Sequence, residues 1–222
     1  SFSLYMVPGL WGAPLKAIGA FLPPLGTQDF ILSGGDGKGK AHEGTDGRDK
    51  SGLPQPVKYY EKMRIYEPEV VVKYGMTTYF DYAEALAIAR TQKKPLMIDF
   101  TGINCVNCRK MEAEVWSDPE VMRRLKENFV IVSLYVDVQD IDLPENEQYE
   151  SAALGKKVTT LGDRNADLQV TRYQANSQPY YFFLDADEKR LVPEGYGYDP
   201  DIPRFIRLLD TAVEQYRSGA GK

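Results

Sequence analysis

The two cysteines of this 222-residue chain, Cys105 and Cys108, are separated by two residues and are the only cysteines that it contains. They follow an apolar run at residues 96–100 and precede a stretch at 109–116 that can form a helix. A strand, a short turn and a C-x-x-C sequence that opens a helix form the arrangement of a dithiol redox site. The spacing also permits an intramolecular bond, so the pattern predicts a pair that cycles between dithiol and disulfide.

We expect the first cysteine to be the nucleophile, because a thiolate rather than a thiol attacks a disulfide. Free backbone N–H groups and the dipole at a helix N-terminus stabilise a thiolate. Lowering the pKa of Cys105 from roughly 8.5 to about 7 raises its thiolate fraction at neutral pH from about 3% to about half, and a weaker intrinsic nucleophilicity offsets part of this gain. Cys108, one helical turn further on, is expected to be more buried and to resolve the mixed disulfide.

Two carboxylates are candidates for the proton transfers of this chemistry. Asp99 lies six residues before Cys105 inside the apolar run, where burial would raise its pKa and let it accept the proton of Cys108. Glu112 shares the helix face of both cysteines and is a candidate for like-charge coupling to Asp99 or for a second acid–base group. The alternatives are an Asp on the polar face of a half-exposed strand and a solvated Glu on the helix surface.

Pro179 precedes a second apolar run, residues 180–184, and an X-Pro bond that leads into a strand is a candidate cis peptide. A cis proline facing the dithiol would exclude metal. It would also present the backbone of Gln178 for antiparallel pairing with a substrate peptide. We therefore treat Pro179 and Gln178 as candidate substrate-binding residues.

Composition excludes several other classes of protein. The net charge is −5 and no basic stretch is interleaved with aromatic residues, which argues against nucleic-acid binding. One C-x-x-C and the single histidine, His42, supply too few ligands for structural zinc, which usually takes four. Two cysteines are also too few for a disulfide-stapled scaffold. We expect no metal and no cofactor other than the redox-active cysteine pair.

The hydrophobic pattern predicts the elements that position these residues, and their order indicates an α/β domain with a mixed central sheet flanked by helices. The acidic segment at residues 138–162 is expected to be an insertion that forms a solvated surface loop with a short helix. The remaining expected elements are one or two short strands within 57–79, a helix at 82–89, strands at 96–100 and 129–136, the redox helix at 105–116, a helix restarting at 117–119, a helix at 166–173, a strand at 180–184, an edge strand at 191–192 and a final helix at 202–216.

Two segments precede the expected domain, which spans residues 57–222. Residues 33–56 hold seven glycines and four charges of each sign, which predicts a flexible linker. Residues 1–32 form an apolar arm with Lys16 as the one charged residue within 2–25. This arm is either packed on the domain or the tail of a membrane span followed by an interfacial segment.

Together, the acid at Asp99, the C-x-x-C that opens a helix and Pro179 before a strand resemble a thioredoxin-fold domain. More narrowly, residues 99–137 (DFTGINCVNCRKMEAEVWSDPEVMRRLKENFVIVSLYVD) resemble the C-terminal periplasmic domain of the thiol:disulfide interchange protein DsbD family, in its Bacteroidetes-type form. The resemblance covers residues 75–217. Residues 8–24 (PGLWGAPLKAIGAFLPP) resemble the end of that family's last transmembrane helix.

The resemblance implies a domain on the periplasmic side of the bacterial inner membrane, tethered by the membrane part of the full-length protein. It implies electron transfer from a membrane-embedded cysteine pair to periplasmic partners, among them the family's N-terminal domain, disulfide isomerases and cytochrome c maturation factors. Cys105 and Cys108 match the family's redox pair, and Asp99 and Glu112 match its acids that control thiol pKa. The sequence departs from the family at Asn104, where an aromatic residue is usual, and in the length of the 138–162 insertion.

Two other functions stay open on the residues alone. A thioredoxin-like oxidase or isomerase would use the same residues with the opposite net electron flow, which depends on reduction potential. A non-catalytic interaction module would keep the C-x-x-C as a structural disulfide.

Overall fold

A computed structural model of the chain describes residues 52–219. The expected apolar arm at 1–32 and the expected linker up to residue 51 lie outside the described residues. Within 52–219, no helix combines the length and the apolar character needed to cross a bilayer. The elements in chain order are α1 Tyr60–Met63, a 3-10 turn Arg64–Tyr66, α2 Glu69–Tyr74, β1 Thr78–Tyr79, α3 Tyr82–Gln92, β2 Leu96–Thr101, α4 Val106–Lys110, a π-helix Met111–Trp116, α5 Pro119–Asn128, β3 Val130–Tyr135, a 3-10 turn Glu145–Glu147, β4 Tyr149–Ser151, β5 Lys156–Val158, α6 Leu161–Tyr173, β6 Tyr180–Leu184 and α7 Ile202–Gly219.

Four strands form the central sheet in the order β1-β3-β2-β6. Strands β1, β3 and β2 are parallel, whereas β6 pairs with β2 in the antiparallel direction. In this register Asp99 lies between Ser133 on β3 and Tyr181 on β6. The sheet is therefore mixed, as the sequence predicted.

Both faces of the sheet are buried, which explains why its strands read as continuous apolar runs. Successive side chains on a strand point to opposite faces. Met97 and Ile131 belong to one core cluster together with residues of the π-helix, α5 and α7. Ile98 and Val132 belong to a second cluster, which contains residues of α3 and Tyr173 of α6. The redox helix thus packs on the Met97 face of the sheet.

The segment before the first expected helix differs from the sequence prediction. Most of residues 57–79 is helical, in α1, the turn after it and α2, and only Thr78–Tyr79 forms a strand. Val70 and Val71 are adjacent and both buried, which short helices wedged against the domain allow and a half-buried strand does not. The expected edge strand at 191–192 is also wrong, because the edge beside β6 consists of isolated bridges that involve Arg190 and Tyr196.

The acidic insertion at 138–162 is not simply a solvated loop. It contains the expected short helical turn, but it also forms the β4–β5 hairpin. Asp167 on α6 accepts hydrogen bonds from the hydroxyls of Tyr149 and Ser151, which ties the hairpin to the domain. Buried apolar side chains within the insertion, Val138 and Ile141 among them, build a third core cluster. Its buried members are Met63, Phe80, Tyr135, Val138, Ile141 and Leu161.

The end of the expected linker packs on the domain. Leu53 is 2% exposed and belongs to the core cluster on the α3 side of the sheet. The hydroxyl of Tyr79 donates a 2.6 Å hydrogen bond to the carbonyl of Pro54. Packed structure therefore begins by Leu53, four residues before the expected start of the domain at 57.

Candidate active site

The redox pair lies where the loop after β2 enters α4, and its two sulfurs are joined in a disulfide. Cys105 is the N-cap residue of α4, and its Sγ accepts a 3.1 Å hydrogen bond from the backbone N–H of Cys108. Cys105 is partly exposed, whereas Cys108 is 1% exposed. This difference in exposure matches the expected one, and the assignment of Cys105 as attacking thiol and Cys108 as resolving thiol stays a prediction.

Asp99 lies beneath the redox helix because the period of two along β2 puts it on the same face as Met97. It is 3% exposed and accepts a 3.3 Å hydrogen bond from the hydroxyl of Ser133. Burial raises the pKa of Asp99 to about 7, although the positive charge of Arg109 and the Ser133 hydrogen bond act in the opposite direction. The buried position of Asp99 is confirmed, and the alternative of a half-exposed strand Asp is wrong.

Glu112 is 5% exposed in the π-helix that continues α4. Burial raises the pKa of Glu112 to about 8, Arg109 lowers it, and the charge of Asp99 raises it further. The sequence suggested that Glu112 would act on the pKa of Asp99, whereas in the structure the charge of Asp99 acts on the pKa of Glu112. The alternative of a solvated surface Glu is wrong.

Arg109 was not singled out from the sequence, yet it contacts the acid pair directly. Its Nη2 donates a 2.6 Å hydrogen bond to Glu112 Oε1, and the two side chains are only 11% and 7% exposed. The same nitrogen lies 3.4 Å from the hydroxyl oxygen of Thr101. The three-residue spacing from Glu112 was the available signal, because residues at i and i+3 are neighbours on a helix.

Asp137 is a second residue that the sequence analysis missed. It follows β3, and its carboxylate accepts hydrogen bonds from the backbone N–H groups of Ile103 at 2.8 Å and Asn104 at 3.1 Å. A Cβ atom on Gly102 would lie 3.0 Å from Asp137 Oδ2 and 3.3 Å from the Cβ of Cys105. Glycine at this position therefore allows the carboxylate to approach the redox loop closely. The available signal was its place after β3, because parallel neighbours end at the same edge of a sheet.

The Gln178–Pro179 peptide bond is cis, as the sequence suggested. Pairing of Tyr180 with Phe100 places the start of β6 beside the end of β2, so Pro179 lies at the edge of the sheet from which the redox loop leaves. Gln169, 1% exposed on α6, donates to the carbonyl of Ser177 and accepts from the amide of Gln178, both at 2.8 Å. The substrate-binding roles of Gln178 and Pro179 stay predictions.

These elements together can carry out thiol–disulfide exchange. A partly exposed sulfur is positioned for attack and a buried sulfur for resolution, with two buried carboxylates of raised pKa on the adjoining helix and strand. Both sulfurs come from α4 and its N-cap, and the carboxylates come from β2 and the π-helix that continues α4.

Comparisons with known proteins show which family this chain resembles. A family model described as a thioredoxin-like domain matches residues 82–212. The thiol:disulfide interchange protein DsbD of Vibrio vulnificus strain CMCP6 is 38% identical over 68 residues, which are 29% of this chain and 11% of that protein. The DsbD of strain YJ016 matches to the same extent. The chain thus matches only about a tenth of the length of these curated relatives.

Solved structures with a similar fold include an oxidoreductase called DsbH, at 22% identity and a TM-score of 0.45, covering 61% of this chain and 83% of that one. A thioredoxin from Thermus thermophilus shares 23% identity at a TM-score of 0.43, and the match covers 61% of this chain and 85% of that one. The oxidised C-terminal domain of Neisseria meningitidis DsbD shares 17% sequence identity at a TM-score of 0.41. This match covers 59% of the present chain and 90% of that domain. The expected resemblance to DsbD is confirmed. Because the family model covers more than half of the chain, including the redox pair, strands β2, β3 and β6 and most of the final helix, this chain belongs to the thioredoxin-like domain family.

Proposed function

We propose that this chain is a protein-disulfide reductase domain that passes electrons through Cys105 and Cys108 to disulfides of periplasmic proteins. In the full-length protein, its own transmembrane domain supplies the electrons from a membrane-embedded cysteine pair and tethers the domain to the periplasmic side of the inner membrane. Cytochrome c maturation factors and disulfide isomerases are among the proposed electron acceptors. The similarity to DsbD over 68 residues supports this route.

The proposal depends on the unequal exposure of the two cysteines, on a helix that covers the face of the sheet carrying a buried acid. Cys105 is reachable from solvent while Cys108 is 1% exposed, so a partner disulfide meets Cys105 first. Resolution then needs Cys108 to lose its proton in a buried environment, and Asp99 is a buried carboxylate on the face of the sheet that the redox helix covers. A purely structural disulfide does not require such an acid.

Insulin reduction tests whether the domain is a reductase. The dithiol form should precipitate the insulin B chain, and Cys105→Ser should abolish the reaction while keeping the fold. Equal rates for the wild type and Cys105→Ser would identify the disulfide as structural and remove the enzymatic function.

The reduction potential tests the direction of electron flow. Equilibration with glutathione buffers, read by mass spectrometry of alkylated thiols, should give a value near that of thioredoxin at about −270 mV, whereas an oxidase would lie near −120 mV. A pair that is fully reduced in a mildly reducing buffer would overturn the reductase direction and favour the oxidase or isomerase.

A further inference from the structure

Arg109 brings a full positive charge into the buried region under the redox pair. Its side chain is 11% exposed, and its Nη2 is bonded to Glu112. Its Nε and Nη1 are buried without a hydrogen-bond partner among the described residues. Guanidinium groups keep their proton at any physiological pH, so this charge must be balanced locally by an anion.

Several elements supply the groups that interact with Arg109. The redox helix supplies Glu112, β2 supplies Asp99 and Thr101, β3 supplies Tyr135 and β6 supplies Tyr181, and the charge of Arg109 acts on the ionisable members of this set. Ser133 on β3 is bonded to Asp99. Burial raises the pKa of both tyrosines, so they remain neutral at physiological pH. Asp99 and Glu112 are therefore the groups that balance Arg109.

Charge counting then selects one protonation state of the acid pair. Two ionised carboxylates beside one guanidinium would leave a net buried negative charge, and two neutral carboxyls would leave a net buried positive charge. Both states cost free energy in a desolvated region. A single proton on either Asp99 or Glu112 brings the summed charge of the three side chains to zero.

We propose that Arg109 is a positioning residue that keeps the Asp99–Glu112 pair at a single proton, so that one carboxylate stays ionised to accept the proton of Cys108. This inference rests on the proposed thiol–disulfide exchange and deepens it. The neighbouring Lys110 is also a cation, but it is no member of the buried cluster.

The step that depends on Arg109 is the resolution of the mixed disulfide between Cys105 and the partner. The Sγ–H of Cys108 gives its proton to the ionised carboxylate, and the resulting thiolate attacks Cys105 Sγ. The Cys105–Cys108 bond forms as the bond between Cys105 and the partner sulfur breaks, and the partner leaves as a thiolate. Two electrons pass from the dithiol to the partner disulfide, and the acid pair holds one proton more than before.

The pH–rate profile of this resolution step tests the inference with a peptide disulfide as the probe. Arg109→Met removes the charge and keeps the aliphatic stem, so both carboxyls should bind protons more tightly and the acid limb should move to higher pH by at least about one unit, an approximately tenfold loss of rate on that limb. Arg109→Lys should retain most of the wild-type profile, and Lys110→Met should leave it unchanged. A merely structural role for Arg109 would lower stability without moving the acid limb.

A separate background distinguishes failure of this inference from failure of the proposed function. In the Cys108→Ser background, Cys105 should form a mixed disulfide with the same peptide at similar rates with and without Arg109→Met. No mixed disulfide in the Cys108→Ser protein itself would overturn the proposed function. Normal mixed-disulfide formation together with an unshifted resolution profile in Arg109→Met would overturn the role of Arg109 alone.

A second test uses the wild-type protein alone, so its result does not depend on whether the Arg109→Met variant folds. Carbon-13 NMR of the side-chain carboxyls of Asp99 and Glu112 should show two titration steps, separated by a pH range in which the pair carries one proton. Titration of both carboxyls in one step would contradict the inference, whether or not Arg109→Met folds.

Discussion

Asp137 Oδ1 lies 2.8 Å from the backbone nitrogen of Ile103, so the end of β3 is fastened to the loop that leads into the redox helix. The second carboxylate oxygen of Asp137 binds the next N–H, that of Asn104. This loop leads to the partly exposed Cys105, and its two donors are held by one side chain that follows β3, more than 30 residues later in the chain.

Asp137→Ala should destabilise the domain and loosen the redox loop. A hydrogen bond to a charged group contributes roughly 1.5–3 kcal/mol, and the variant loses two of them, although water can replace part of this interaction. We expect the free energy of unfolding to fall by about 1–3 kcal/mol in urea denaturation. The matched control is Asp187→Ala, at an exposed aspartate in the turn after β6. Equal losses in the two variants would show that Asp137 does not hold the loop.

The stability of the oxidised domain should depend on pH through Asp99. Its pKa is raised from 3.8 to about 7 by burial, so the folded state binds this proton more tightly than the unfolded state does. The stability that this proton confers is fully present below 3.8, the pKa in the unfolded chain. It is lost as pH rises from there to about 7, the pKa in the folded state, and the free energy of unfolding falls by up to about 1.4 kcal/mol per pH unit.

Asp99→Asn removes this titration while keeping a group that can bind the Ser133 hydroxyl. Relative to the wild type, the variant should therefore gain stability between pH 5 and pH 7, and the difference should level off above the folded pKa. Urea denaturation at a series of pH values measures the difference, with Asp187→Asn as the control. A difference that stays constant with pH would contradict the raised pKa.

The two thiols of the reduced domain should react with alkylating agents at very different rates. Cys105 is partly exposed and caps the helix, while Cys108 is 1% exposed. Because alkylation requires an accessible thiolate, we expect iodoacetamide to modify Cys105 at least about tenfold faster. Peptide mapping by mass spectrometry after short pulses gives both rates. Comparable rates, or faster modification of Cys108, would reverse the assigned roles of the pair.

Gln169 should affect the docking of peptide substrates without affecting the reactivity of the thiols. Its buried amide holds both Ser177 and Gln178 on the loop before Pro179. Gln169→Glu keeps the size and removes the donor to the Ser177 carbonyl, a part-buried hydrogen bond of a kind that contributes roughly 0.5–1.5 kcal/mol.

The expected outcome for Gln169→Glu is a higher KM for a peptide disulfide, with an unchanged rate of Cys105 alkylation by iodoacetamide. Gln215→Glu, at an exposed glutamine on α7, serves as the control. A change in alkylation rate with no change in KM would mean that the Gln169 loop acts on the thiols rather than on substrate docking.

The sequence by itself determined the redox pair and the helix that it opens, and it favoured a buried position for Asp99. These features depend on local patterns: a spacing of three between two cysteines and a long apolar run around a single acid. The sheet strands at 96–100 and 180–184 and the final helix were predictable for the same reason, because periodicity is a property of neighbouring residues. The local pattern was a poorer guide to secondary structure over residues 57–79, because short buried helices and short strands have similar apolar content.

Only the tertiary structure decided which other side chains complete the site. Arg109 reads from the sequence as an ordinary helix residue, and its burial against Glu112 depends on how the helix packs on the sheet. Asp137 reaches Ile103 because β2 and β3 are parallel neighbours, a pairing between segments far apart in the chain. The 138–162 insertion became a packed unit through contacts with α1 and α6 that no local pattern records. Long-range packing therefore brought the charged side chains Arg109 and Asp137 to the redox site, whose cysteines the local sequence had already identified.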